Sequence, residues 1–358
     1  MTVRRFETEE TDPFRRGEAI GRAFADEILA NIEGYKGLFH AVGVDAAGLP
    51  ALGRTALDRI DRWAPELGAE LHGAAGGTGI PLWQIGMLNA RTEILATVGA
   101  IGEGECSTSV MLPARGGAPR TIQTWDWHDV SNENTLVVRH RTRAGRTVRY
   151  FTEFGILGKI GVNDAGIGVH FNILNHAADG DGIGVPVHAV ARAVLDGAGN
   201  LDEAVEIARS AEVSASTVLT IVSYAGGVAD AAQVELSAGG HATLRAPEDG
   251  VLLHTNHFLD RRLAAGDLSP RASSTFPRLD HLQARRALLA AADPVDRVAG
   301  LLVHEADGAP ICCHPDPALS FENRWQTLIT IALDLEQSRL QFHEGGPCTV
   351  RRASWQVF

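Results

Sequence analysis

The sequence predicts an α+β protein, and three features carry that reading. The first hundred residues or so place apolar residues at helical spacing. From Cys106 onward, short segments rich in Val, Ile, Thr and aromatics alternate with Gly, Asn or Asp, as antiparallel strands do. Helical stretches return inside this strand-rich portion, which makes a helical front joined to a mixed body.

In chain order, Pro13 introduces FRRGEAIGRAFADEILANIEGY, read as one helix. A second helix is expected near Leu57 to Ala75, ending in the turn GGTGIP. A third runs from about Pro81 through Leu88 to Val98 and breaks at GAIGEGE. Strands follow at STSVMLP, RTIQTWDW, NTLVVRHRT, RTVRYFTEF, KIGVN and GIGVHFN. Helices are expected over Pro186 to Leu195 and Leu201 to Ala208, then strands at STVLTIVSY, AAQVELS, ATLRA and GVLLHT. Two more helices are expected near Leu279 to Ala291 and Val295 to His304. TLITIALDLEQSRLQFHEG reads as a hairpin turning at Glu336, Gln337 and Ser338.

The chain has 358 residues, 45% hydrophobic and 21% charged, enough to bury a sizeable core. Its formal net charge of −12 argues against nucleic acid and anionic membrane as partners. The four cysteines, Cys106, Cys312, Cys313 and Cys348, form neither a CxxC pair nor a disulfide framework. The opening MTVRRFETEETDPF lacks the apolar stretch of a signal peptide, and no apolar run reaches the length of a membrane span. The expectation is a cytoplasmic protein.

Cys106, in GEGECSTSV, is the residue that asks for an explanation. The usual fate of a lone cysteine is a small buried hydrophobe. Against that, a Gly-rich segment precedes it, Ser107 and Thr108 follow it, and Asp126 and Asn163 stand at strand ends where catalytic groups often collect. On chemistry alone both readings stay open. His254 and His257 form an HxxH pair that Cys312, Cys313 or His314 could extend toward a metal site. LLHTNH reads as a strand end and not a helix, so no metal is expected there. GGTGIP and GDGIGVP lack the context of phosphate loops.

The segments GECSTSV, IQTWDWHD, FTEFGILGKIGVNDAGIGVHFNIL, MLNARTE, LLHTNHF and NRWQTLITIALD resemble the acyl-coenzyme A:6-aminopenicillanic acid acyltransferase (isopenicillin N acyltransferase) family. The family consists of autoproteolytic N-terminal-nucleophile hydrolases, and the resemblance runs from about Pro13 to Pro347. It implies an αββα sandwich with a helical N-terminal segment. It further implies self-cleavage between Glu105 and Cys106, leaving residues 1–105 as a helical chain and 106–358 as the catalytic body.

The same resemblance implies roles for individual residues. Cys106 is the nucleophile, and its freed α-amino group, with an ordinary pKa near 8, is the base. Asp126 steadies that amine and Asn256 contributes to the oxyanion hole. Arg324 binds a substrate carboxylate or orients Asp126, although Asn323 replaces the serine of the family's Ser-Arg pair. Ser216 aligns with a serine used in processing or acylation. From their place beside Asp126 on a strand, and not from the resemblance, Trp127 and His128 are read as lining an acyl pocket, with core packing as the plainer reading for Trp127. Glu105 stands where the best-known member has glycine.

The function so implied is a cysteine amidohydrolase or acyltransferase working through a Cys106 thioester on a small N-acyl substrate. No cofactor is expected, with acyl-coenzyme A as a conceivable donor substrate. The expected partners are the small N-acyl or acyl-thioester substrate and the chain's own cleaved segment. The alternatives are a metal-dependent hydrolase using His254 and His257 with Cys312 or Cys313, and a non-catalytic binding homologue.

Overall fold

The computed structural model describes residues 3–100, 106–114, 116–129 and 133–358. A short strand, β1 (Arg4–Glu7), precedes six helices: α1 (Pro13–Ala23), α2 (Ala25–Ala41), α3 (Leu49–Trp63), α4 (Pro65–Thr78), α5 (Leu82–Asn89) and α6 (Arg91–Ala96). Then come β2 (Ser107–Met111), β3 (Arg120–His128), β4 (Thr135–Arg141), β5 (Thr147–Glu153), β6 (Ile160–Asn163) and β7 (Ile167–Ile173). Helices α7 (Val187–Gly197) and α8 (Leu201–Arg209) lead to β8 (Thr217–Ala225), β9 (Val228–Ser237), β10 (Gly240–Arg245) and β11 (Val251–His254). Three short helices, α9 (Thr275–Ala284), α10 (Arg286–Leu289) and α11 (Pro294–Arg297), precede β12 (Trp325–Asp334), β13 (Arg339–Glu344) and β14 (Gln356–Val357).

The strands form two sheets, one ordered β1-β4-β5-β6-β7-β8-β9-β10 and one ordered β11-β2-β3-β12-β13-β14. Among the described residues only the β1/β4 pairing is parallel. The sheets face each other: Trp125 on β3 meets Phe151 on β5 edge-on at 5.4 Å, and Thr108 on β2 donates to Asn172 on β7 at 2.7 Å. Helices α7 and α8 cover the outer face of the larger sheet. On the smaller sheet, Met111, Ile122 and Leu253 pack with Leu282, Leu289, Val298 and Leu301 from the α9–α11 region. The result is the four-layer αββα arrangement.

Several boundaries depart from the sequence reading, each for a local reason. The first predicted helix is two, α1 and α2, meeting at Phe24, whose φ of −133° and ψ of 34° are not helical. The second is also two, because Pro65 excludes helical backbone at Ala64 (φ −138°, ψ 76°) and then serves as the first residue of α4. The region after Leu279 holds shorter helices than expected, with α9 beginning at Thr275. The front segment is not purely helical, since β1 adds an edge strand to the larger sheet. The final hairpin turns as expected, with Ser338 at φ 52°.

Two close helix contacts need glycine. A Cβ at Gly17 of α1 would stand 1.8 Å from the Glu70 carbonyl oxygen, and one at Gly73 of α4 1.9 Å from that of Phe14. The spacing Gly17/Gly21 against Gly73/Gly77 lets the two backbones touch.

That contact carries Arg16 and Glu70 into the interior. Arg16 Nε donates to Glu70 at 2.8 Å, and Arg192 of α7 grips both Glu70 oxygens at 3.0 and 2.9 Å. Arg192 also donates to the Tyr150 hydroxyl, the Leu157 carbonyl and Asp196. Burial alone would raise the Glu70 carboxyl, but Arg16 and Arg192 overcome it and hold it at about 2. This network fastens the front helices to the strand-rich body.

Removing Glu70 strands two buried guanidinium groups, so Glu70→Ala should lower unfolding free energy by roughly 3–5 kcal/mol. Because the folded-state pKa lies below the ordinary 4.5, the stabilisation is complete above that value and fades as pH falls toward 2. Denaturant titrations at pH 7 and pH 3 should therefore show the gap between wild type and Glu70→Gln narrowing at the lower pH.

Candidate active site around Cys106

Cys106 sits at the head of β2, between β3 and β11. β2 pairs Ser107 with Thr124 on one side and Thr108 with His254 on the other. Continuing both registers sets Trp125 and Asn256 opposite Cys106 on its two flanks. The topology thus gathers residues some 150 positions apart at one strand end.

The thiol is buried, at 2% exposure. The Asp126 backbone N–H lies 3.5 Å from Cys106 Sγ, and Sγ lies 3.7 Å from the Asp126 carbonyl oxygen. The Cys106 carbonyl accepts from Arg278 Nη1 at 2.8 Å and from Asn172 Nδ2 at 3.2 Å. Arg278 Nη1 also reaches Ser107 Oγ at 3.0 Å, its Nη2 donates to Asn256 Oδ1 at 3.0 Å, and its Nε faces Ser274 Oγ at 3.2 Å. One guanidinium therefore ties the cysteine's own carbonyl to the side chain of Asn256. Asn256 Nδ2 spends one hydrogen on the Ile173 carbonyl at 2.8 Å, which orients its amide and leaves a second N–H on the same nitrogen.

A buried charged group lies beside this arrangement. Arg91 of α6 and Lys159 both pair with Glu153, Arg91 at 3.1 Å. Glu153 also accepts from the Tyr35 hydroxyl, and Tyr35 in turn accepts from Trp127 Nε1 at 2.8 Å. The Arg91 guanidinium stacks 3.9 Å from the centre of a Trp127 ring, and Lys159 Nζ lies 4.2 Å from that of Trp125. Burial pushes both cations below their usual values, while the thiol of Cys106 is close enough to act in the opposite sense. His128, packed against the rings of Trp127 and Trp325, is lowered to about 4 by burial and by Arg91. It is a neutral imidazole at neutral pH.

The expected site residues divide. Cys106 and Asp126 meet through backbone and sulfur, and Asn256 joins them through Arg278. Trp127 is buried in the core with its indole N–H committed to Tyr35. Arg324 does not reach Asp126; its Nε lies 3.3 Å from Asp129, three residues farther along, beyond the end of β3. Ser216 is turned to Asp179, donating at 2.9 Å from its hydroxyl and at 3.1 Å from its N–H. Of the HxxH pair, His254 has its Nδ1 3.0 Å from the Thr255 carbonyl and its Nε2 2.9 Å from Glu235. Gly102, Gly104 and the Glu105–Cys106 bond fall outside the described residues.

Sequence reasoning missed Arg278, Asn172, Arg91 and Lys159. Arg278 follows a proline in STFPRLD and belongs to α9, which the sequence reading began one residue too late to include. Asn172, within VHFNI, has only its position on a strand facing Cys106 to distinguish it.

The family model "Acyl-coenzyme A:6-aminopenicillanic acid acyl-transferase" matches residues 114–348. The chain is 29% identical over 276 residues to the acyl-coenzyme A:6-aminopenicillanic-acid-acyltransferase 40 kDa form of Emericella nidulans, covering 75% of this chain and 74% of that one. Among solved structures, it is similar to penicillin V acylase from Agrobacterium tumefaciens at a TM-score of 0.46 and 19% identity, over 67% of this chain and 83% of that one. It is also similar to an N-acylethanolamine-hydrolyzing acid amidase orthologue from Caenorhabditis elegans, at 0.42 and 14%, over 64% and 93%.

If Arg278 sets the position of both Cys106 and Asn256, Arg278→Ala should slow hydrolysis of an activated acyl ester on the order of a hundredfold. Arg278→Lys, with its charge but without the planar fork, should recover only part of the rate. Stopped-flow rates beside circular dichroism of each variant separate this from misfolding.

Proposed function

The chain belongs to the acyl-coenzyme A:6-aminopenicillanic acid acyl-transferase family, and from that premise we propose that it is a self-cleaving cysteine enzyme acting on the amide bond of a small N-acyl substrate. The observation that carries this reading is the anchored Cys106: a buried thiol at a strand head, with its carbonyl held by Arg278 and Asn172. An inert buried cysteine has no need of a guanidinium fork linking it to an asparagine amide.

In the continuous chain the Cys106 nitrogen is an amide, so the base is latent. The thiol adds to the Glu105 carbonyl carbon, the C–N bond breaks, and the proton from sulfur ends on the new amine. Water then hydrolyses the thioester, leaving a carboxylate on Glu105 and a free thiol on Cys106. The α-amino group now takes the thiol proton as the sulfur attacks a substrate acyl carbon. The second N–H of Asn256 Nδ2 is the donor available to the developing oxyanion. As the tetrahedral intermediate collapses, the α-ammonium returns its proton to the leaving amine. The acyl thioester passes to water in a hydrolase, or to an incoming amine in an acyltransferase. With nucleophile and base on one residue the mechanism calls for no histidine base, and His128, lowered to about 4 chiefly by burial, is a weak base near neutrality.

Intact-mass spectrometry tests the first step. Wild type should give two fragments, the larger beginning at Cys106, and Cys106→Ala a single uncut chain. An uncut wild type that still turns over an N-acyl substrate would remove the α-amine from the mechanism.

A further inference from the structure

Away from Cys106, four metal-ligating side chains converge without any role in the chemistry above. His304, Cys312, His314 and Cys348 bring one ligand atom each to within 4.8 Å of one another. Cys312 Sγ lies 3.6 Å and Cys348 Sγ 3.4 Å from His314 Nε2. In a tetrahedral zinc site, with Zn–S near 2.3 Å and Zn–N near 2.0 Å, a sulfur–nitrogen edge is about 3.5 Å. The rings of His304 and His314 stack with centres 5.3 Å apart. All four cysteines of the chain are free thiols, so the pair is not consumed in a disulfide.

The surroundings fit a bound ion. The Cys348 backbone N–H points at Cys312 Sγ from 3.4 Å, the kind of second-shell contact that orients a thiolate ligand. Gly346 keeps room for that sulfur, since a Cβ there would stand 2.9 Å from it. Two thiolates balance the charge of a divalent cation, and two sulfurs with two imidazoles in a tetrahedron select zinc. Cys312 is buried, whereas His314 is exposed, which gives an ion a way in.

We propose that His304, Cys312, His314 and Cys348 form a structural zinc site. Four protein ligands close the coordination shell, so the ion is a staple and not a Lewis acid for substrate. It clasps the irregular 304–314 segment to the 346–348 turn. That segment is already stitched to the start of β12, where Cys313 N–H donates to Thr327 Oγ1 at 2.9 Å and Thr327 N–H donates to the Cys313 carbonyl at 3.1 Å. Thr327 is the strand partner of Asp126, so the clasp supports the back of the strand pair that carries the active-site carboxylate.

The test uses the full chain carrying Cys106→Ala, which keeps metal binding independent of cleavage and turnover. Purified under reducing conditions, equilibrated with zinc and desalted, it should hold about one zinc per chain by elemental mass spectrometry. Cobalt in place of zinc should give the visible bands of a tetrahedral site and thiolate-to-metal charge transfer. Cys348→Ser and His314→Ala, at less buried positions than Cys312, should each cut zinc retention at least tenfold and abolish the charge-transfer band or shift it. A folded chain that retains less than a tenth of an equivalent of zinc overturns the proposal. So does a Cys312–Cys348 disulfide that persists under those reducing conditions, and so does unchanged zinc content in both variants.

Discussion

The geometry around Cys106 depends on one buried guanidinium. Arg278 reaches across from α9 to the Cys106 carbonyl, the Ser107 hydroxyl and the Asn256 side-chain oxygen. Such a fork fixes angles as well as distances, because its N–H vectors lie in one plane. A lysine at the same place would supply a charge without that constraint. Asn172 adds a second grip on the same carbonyl from the opposite sheet. The head of β2 is therefore clamped from α9 and from β7, and the sandwich cannot slide without disturbing Cys106.

A second constraint keeps the front helices in place. Glu70 lies in α4, but Arg192, which grips it, lies in α7 of the body. Arg91 of α6 likewise pairs with Glu153 of β5, and Tyr35 of α2 hydrogen-bonds both Glu153 and Trp127. These contacts do not depend on continuity of the backbone between the two segments. Charges buried this deeply need each other, because either partner alone would be left desolvated. A cut ahead of Cys106 would consequently release a chain end without releasing a subunit.

Much of the architecture was legible because each strand carries its own composition and its own turn. The segments from STSVMLP to GVLLHT fall close to the observed strands, and the last hairpin turns where its polar residues stand. What escaped was set by tertiary context. β1 is four residues long, too short to distinguish from a polar leader until it pairs with β4. The kink at Phe24 has no proline or glycine to announce it. Among site residues, Cys106, Asp126 and Asn256 stood in segments with a readable resemblance. Arg278 lay outside those segments and Asn172 lay inside one with no role attached, since an arginine on a short helix and an asparagine within an apolar strand look ordinary until the two sheets meet. For Arg324 the motif left a substrate carboxylate and Asp126 open as partners, and its place in the motif said nothing about Asp129, which stands 3.3 Å from its Nε.

Placing nucleophile and base on one residue, as proposed for Cys106, changes what the fold has to hold. A catalytic triad needs three side chains held in mutual register, each with its own freedom to lose. In the proposed mechanism thiol and amine would share one Cα, so their separation would be fixed by covalent geometry and only that residue would have to be aimed. Two hydrogen bonds, from Arg278 and Asn172, fall on the Cys106 carbonyl, an atom to which that mechanism assigns no bond-breaking or proton transfer. The sulfur lies 3.5 Å from the Asp126 N–H and 3.7 Å from the Asp126 carbonyl oxygen, so the backbone of β3 runs alongside the thiol. Carbonyl and thiol of one residue are thus set by different parts of the fold, the carbonyl by α9 and β7 and the sulfur's neighbourhood by β3.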